Sequence, residues 1–128
     1  GLMASDPDLG FQAAMYAALS VAQGSVAVEV HPPHGLPLPF VRIGESNLQD
    51  SEIGHEIRVD IHTFSSAEGS HEAKGIMHVT RNTLHGQAFS SGSWIFTCCR
   101  EQDARIFFDA EQEEWHGVQT YRCLASLA

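Results

Sequence analysis

The chain has 128 residues, 16 acidic side chains against 7 Lys and Arg, 8 histidines and a formal net charge of −9. That length suits a single domain with an ordinary core, read here as 3–128, with Gly1-Leu2 ahead of Met3 read as an expression scar. No run concentrates the basic residues, so no specific nucleic acid is expected as a partner. No apolar stretch approaches the ~20 residues of a bilayer span and no signal peptide is read, so no membrane is expected either.

The first helix opens with Asp6 as N-cap and Pro7 at the first helical position. Leu9, Met15, Tyr16, Leu19 and Ala22 recur at helical spacing, and Gly24 is a natural stop. VAVEV (26–30) reads as a short strand. HPPHGLPLP (31–39) holds four of the five prolines and must be a loop. FVRIGE (40–45) reads as a strand and SNLQDSE (46–52) as a polar loop. Next, Ile57, Val59, Ile61 and Thr63 alternate with Glu56, Arg58, Asp60 and His62, which is a half-buried strand with one apolar and one charged face. After a turn, Ser70 is a plausible N-cap for a helix to about His85, stopped by Gly86.

The last third reads as β: 93–102, a turn at Asp103-Ala104, a returning strand at 105–109, an acidic loop at 110–117, and a closing strand at 118–127. Asp109, Glu111, Glu113 and Glu114 read as a solvated hairpin tip. The order α-β-β-β-α-β-β-β, with short connections, predicts an α+β fold: a mostly antiparallel β-sheet with two helices packed on one face. Its core should include Ile57, Val59, Ile61, Ile76 and Leu84, with Leu19 from the first helix.

Little chemistry is written in the residues. His71, His78 and His85 fall on one helical stripe with Lys74 and Arg81, opposite Ala73, Ile76, Thr80 and Leu84. That is the wet face of an amphipathic helix, and histidines one heptad apart sit about 10 Å apart along the axis, too far to share one ion. His31 and His34 form a weak metal pair lacking a third ligand nearby in sequence. Asp60 and His62 share a strand face, which could make a general base, but no nucleophile motif, Walker loop or dinucleotide fingerprint supports them. The three cysteines lack a C-x-x-C and read as buried reduced thiols; Cys98 and Cys99, adjacent in a strand, should point to opposite faces. No cofactor and no metal are expected, and no enzymatic activity.

This inventory fits a resemblance. VAVEVHPPHGLPLPFVRIGE (26–45), Asp50, Gly54, IRVDIHTFSSAEGSHEAKGI (57–76), Leu84-His85 and EWHGVQTYRCLAS (114–126) resemble the tail-completion, or tail-terminator, proteins of long-tailed phages and prophages. The likeness spans nearly the whole chain and is most specific from Leu38 to Ile76. One departure is at 62–65, where the family often shows an aromatic, usually a tryptophan, just before the serine; Phe64 can serve the same packing role.

The resemblance implies a structural virion protein at the head-proximal end of the tail, held in the host cytoplasm before assembly. It would form a ring, usually hexameric, that caps the tail tube and joins tail to head. Its partners would be itself, the tail tube protein and a head-completion or connector protein. Glu56, Arg58, Asp60, His62, Lys74 and Arg81 are the candidate interaction residues. The alternatives are another head–tail adaptor such as a head-completion protein, a gene-transfer particle as setting, and a small metal-dependent hydrolase.

Overall fold

Pro7 opens helix α1 (Pro7–Ala22), and Gly24, at φ 62°, supplies the left-handed residue that ends it. This computed structural model describes residues 7–51, 54–66 and 68–127. The scar reading of Gly1-Leu2 and the Asp6 cap lie outside the described residues.

The strands β1 (Ala27–Val30), β2 (Phe40–Ile43), β3 (Asn47–Ser51) and β4 (Gly54–Ser65) precede helix α2 (His71–Leu84). After it come β5 (Phe89–Ser91), β6 (Trp94–Asp109) and β7 (Glu114–Leu127). They form one sheet in the order β1-β2-β4-β7-β6-β5, with β3 pairing the first half of β4. Among the described residues only β1–β2 is parallel. The α+β class and its mostly antiparallel sheet are therefore as expected, with refinements inside individual elements.

The polar stretch 46–52 is not a loop throughout. Asn47–Ser51 forms β3, because the long β4 offers it an edge beyond the reach of β2: β2 pairs with residues 61–64 of β4 and β3 with residues 54–58. Where the chain steps from one to the other, Gly44 donates its N–H to the Asp60 carbonyl at 2.8 Å. A Cβ there would lie 2.9 Å from that same oxygen, so the close approach requires glycine.

The expected turn at Asp103-Ala104 is also corrected. Residues 94–109 form one continuous strand, interrupted by register shifts at Thr97/Arg100 and Glu101/Asp103, with Cys98 at φ 54°. Bulges absorb the irregular residues without reversing the chain. The reversal comes at 110–113, where the Asp109 carboxylate accepts the N–H groups of Glu111 and Gln112 at 3.0 and 3.2 Å.

Both helices cover one sheet face. Ile57, Val59 and Ile61 of β4 stand opposite Cys123, Tyr121 and Gln119 of β7, and all are buried with Ile76, Leu84 and Leu19. The α1 stripe is shifted from the expected one. Phe11, Met15 and Leu19 are buried, whereas Leu9 and Tyr16 are 65% and 41% exposed and Ala22 is exposed. α1 is apolar on most sides, which leaves the phase of its spacing poorly defined. Gln23 then ties the helices together, donating to the Ile76 carbonyl at 3.1 Å and the Thr80 hydroxyl at 2.8 Å.

Ser70 precedes α2 without a side-chain cap bond. Instead the Ser65 hydroxyl at the end of β4 donates to the first-turn carboxylate of Glu72 at 2.5 Å. At the far end Gly86, at φ 76°, turns the chain and donates its N–H to the Cys99 carbonyl at 2.7 Å.

Candidate functional site

The sheet face away from the helices is built by the alternate residues of β4. Glu56, Arg58, Asp60, His62 and Phe64 point there, because Ile57, Val59, Ile61 and Thr63 occupy the helix side. Four of the six candidate interaction residues thus share one surface. Lys74 and Arg81 do not join them: they lie exposed on α2, on the opposite side of the sheet, where Arg81 faces Glu101 of β6 at 3.5 Å. His71 and His78 are exposed as expected. His85 is half-buried, its Nδ1 accepting the Glu101 N–H at 3.1 Å, so the wet stripe ends before it.

Across the outer face, register aligns an aromatic row. Phe40 stacks on Phe64 with ring centroids 4.8 Å apart, Phe64 on His116 at 4.4 Å, and Phe107 packs against His116 at 4.9 Å. The Arg42 guanidinium lies over both Phe40 and Phe64, 5.4 and 4.9 Å from their centroids. Beyond it, Glu29 receives Arg42 Nε at 3.1 Å and the His34 backbone N–H at 2.8 Å. Burial alone would raise the Glu29 carboxyl, but the His34 N–H and the Arg42 and His34 side chains outweigh it and hold it below its usual range. Phe64 is thus stacked on both sides, by Phe40 and by His116.

His62 and His116 meet nitrogen to nitrogen at 2.9 Å. Desolvation first, and the neighbouring His62 second, press His116 down to about 4; desolvation also lowers His62. The pair is neutral at pH 7. His62 thus bonds His116, while Asp60 accepts the Thr120 hydroxyl at 2.6 Å, so the two do not form an Asp–His dyad. His31 and His34 face different carboxylates, Glu45 at 3.6 Å and Glu29 at 3.1 Å. Among the described residues no three His, Cys, Asp or Glu side chains converge where a metal ion could sit.

A second level of the same face is cationic. Arg58, Arg122 and Arg100 stand directly opposite one another across β4, β7 and β6. Glu56 binds Arg122, and that hydrogen bond is the main reason its carboxyl sits below the usual range. Cys98 and Cys99 face opposite ways as expected. Cys98, however, is exposed rather than buried, because the bulge turns it outward. Cys99 and Cys123 are buried together, and their contact and burial push the Cys123 thiol up.

Arg42, His116 and Phe107 were not among the candidates. Phe40 and Arg42, two apart in a strand, share a face, which was the signal for Arg42; His116 lay in a stretch read as loop, 54 residues from its partner His62.

The fold recurs in a solved chain described as "Virion of native gene transfer agent (GTA) particle", with TM-score 0.75 and 17% identity, covering 94% of this chain and 97% of that one. No curated protein sequence matches. A family described as "Tail completion protein gp17" matches residues 13–126, and the chain accordingly belongs to the phage tail completion protein family.

Proposed function

We propose that this protein is a structural component of the virion that forms a ring, hexameric in the usual family manner, on the end of the tail tube. The ring stops tube growth and presents the surface that joins tail to head. Its partners are further copies of itself, the tail tube protein and a head-completion or connector protein. Its place is the head-proximal end of the tail, reached from the host cytoplasm.

Family membership supports tail completion, and the similar chain from a gene transfer agent virion supports a particle setting. The observation that carries the ring is the open side of β6. β5 pairs only with Trp94–Phe96, and among the described residues the backbone from Gln102 to Asp109 pairs with β7 alone. Long unpaired edges are usually blunted or covered, and this one is available to a neighbouring subunit. A non-enzymatic role is supported by the engagement of Asp60 with Thr120 and of His62 with His116, which leaves no assembled base on that face. Glu56, Arg58, Asp60 and His62 belong on this reading to one contact surface, and Lys74 and Arg81 to a second one on α2.

The test is complementation in the parent phage or prophage. Deleting the protein should give tails of irregular length that lack heads, and supplying it should restore uniform, joined tails. Uniform tails that still join heads without it would end this assignment.

A further inference from the structure

The chain carries −9 overall, yet Arg42, Arg58, Arg100, Arg105 and Arg122, five of its seven basic side chains, lie on the outer sheet face. Arg58, Arg122 and Arg100 are in direct register, an arrangement that like charges disfavour. Glu56 is the carboxylate among them, and Arg122 binds it. Arg100 is exposed and, among the described residues, has neither hydrogen bond nor ion pair. The β6 bulge beside it opens a pocket of about 260 Å³ lined by Cys98, Arg100, Gln102, Arg122, Leu124 and the buried Cys123. Two guanidinium groups and an amide around one opening form a receptor for an oxyanion.

We propose that this pocket receives a carboxylate, Glu111 or Glu113, from the β6–β7 turn of a second copy of the chain. The proposal rests on the ring reading above and names one of its contacts. Both glutamates are exposed, and among the described residues neither carboxylate has a partner, whereas Asp109 is occupied in closing the turn. The turn cannot reach its own pocket, since ten residues of extended strand place it about 33 Å from Arg100. Two different patches that meet only between copies make a head-to-tail contact, the kind that closes into rings. A chain so acidic elsewhere presents this pocket with its most abundant anion whenever copies meet.

The exposed Cys98 at the pocket provides a direct test. Glu111→Cys and Glu113→Cys variants of the full chain are oxidised with copper phenanthroline, in solution and on isolated tails. At least one should give disulfide-linked multimers, which adding Cys98→Ser should abolish. By sedimentation equilibrium, Arg100→Glu should weaken self-association by about tenfold or more, the scale of one lost charged hydrogen bond. Adding Glu111→Lys and Glu113→Lys to Arg100→Glu should restore it, with circular dichroism confirming that each variant folds. A ring that forms on tails without cross-links and is indifferent to Arg100→Glu would overturn the pocket and leave the ring reading standing. Failure of copies to associate on tails would overturn both. Binding of duplex DNA that Arg100→Glu removes would overturn the proposal by assigning the pocket to phosphate.

Discussion

Acidification from pH 7 to pH 5 should loosen this fold through His116. Its ring lies between Phe64 and Phe107 and against His62, with Arg42 and Arg105 nearby and Asp109 as the opposing charge, while Asp60 acts on His62. Its folded pKa is lowered from 6.5 to about 4. Between those values the unfolded chain binds the proton more readily, so the stabilising contribution is complete above pH 6.5 and is lost as pH falls toward 4. For one group with that shift the loss by pH 5 is about 2 kcal/mol, which half-exposure and screening reduce to about 1 kcal/mol. In a domain this size that lowers Tm by about 4 °C. Glu29 is lowered, so its contribution fades only below the ordinary carboxylate range; Glu114 is raised and opposes the trend as it protonates. The readout is therefore the difference between wild type and His116→Phe, which keeps the stack on Phe64 and removes one titration. Thermal melts from pH 7 to 5 should show a shallower decline in the variant. Equal declines in both proteins, or no decline in wild type, would refute the reasoning.

Ile61→Ala should cost about 2–5 kcal/mol in urea unfolding, since Ile61 is fully buried in the core between sheet and helices. Thr63→Val should raise stability by about 1 kcal/mol in the same assay, because the buried Thr63 hydroxyl has no hydrogen-bond partner among the described residues. Gly44→Ala should lose about 1–3 kcal/mol, as its new methyl meets the Asp60 carbonyl and forces β2 away from β4.

Period-two alternation located β4 and its two faces correctly, because a strand between neighbours on both sides leaves no freedom in which residues turn inward. The buried side of α2 was equally legible, since its charged residues mark the wet side clearly. α1 was less so, being apolar around most of its surface. β3 was missed because Asn, Gln, Asp and Ser have little strand preference; the edge of β4 supplies what the residues lack. Asp103-Ala104 misled because bulges and turns draw on similar residues. As for the site, Glu56 to His62 were found as a face, but their partners Arg122, Thr120 and His116 sit some 54 to 66 positions away. Pairing at that separation is decided by which strands become neighbours, and a linear pattern holds no record of it.

Charge shows the same consequence most plainly. Along the chain the basic residues are scattered, which argued against tight binding to a phosphate backbone. Folding gathers most of them, because Arg42, Arg58, Arg100, Arg105 and Arg122 occupy outward positions on four strands that become contiguous. Of the exposed acids, Glu68, Glu111 and Glu113 lie in turns beyond the sheet, while Asp103 stays on the outer face beside Arg105. Net charge then governs how copies behave at distance, and segregated charge governs how they behave at contact. Salt screens the repulsion between two molecules at −9 beyond a Debye length of about 8 Å at physiological ionic strength, so it is felt as their surfaces close to about that distance. Inside that distance an arginine row facing a glutamate turn attracts. Such a chain is held apart in dilute solution and drawn together where something else supplies proximity. A tail end that already holds one copy beside the next supplies it at high effective concentration.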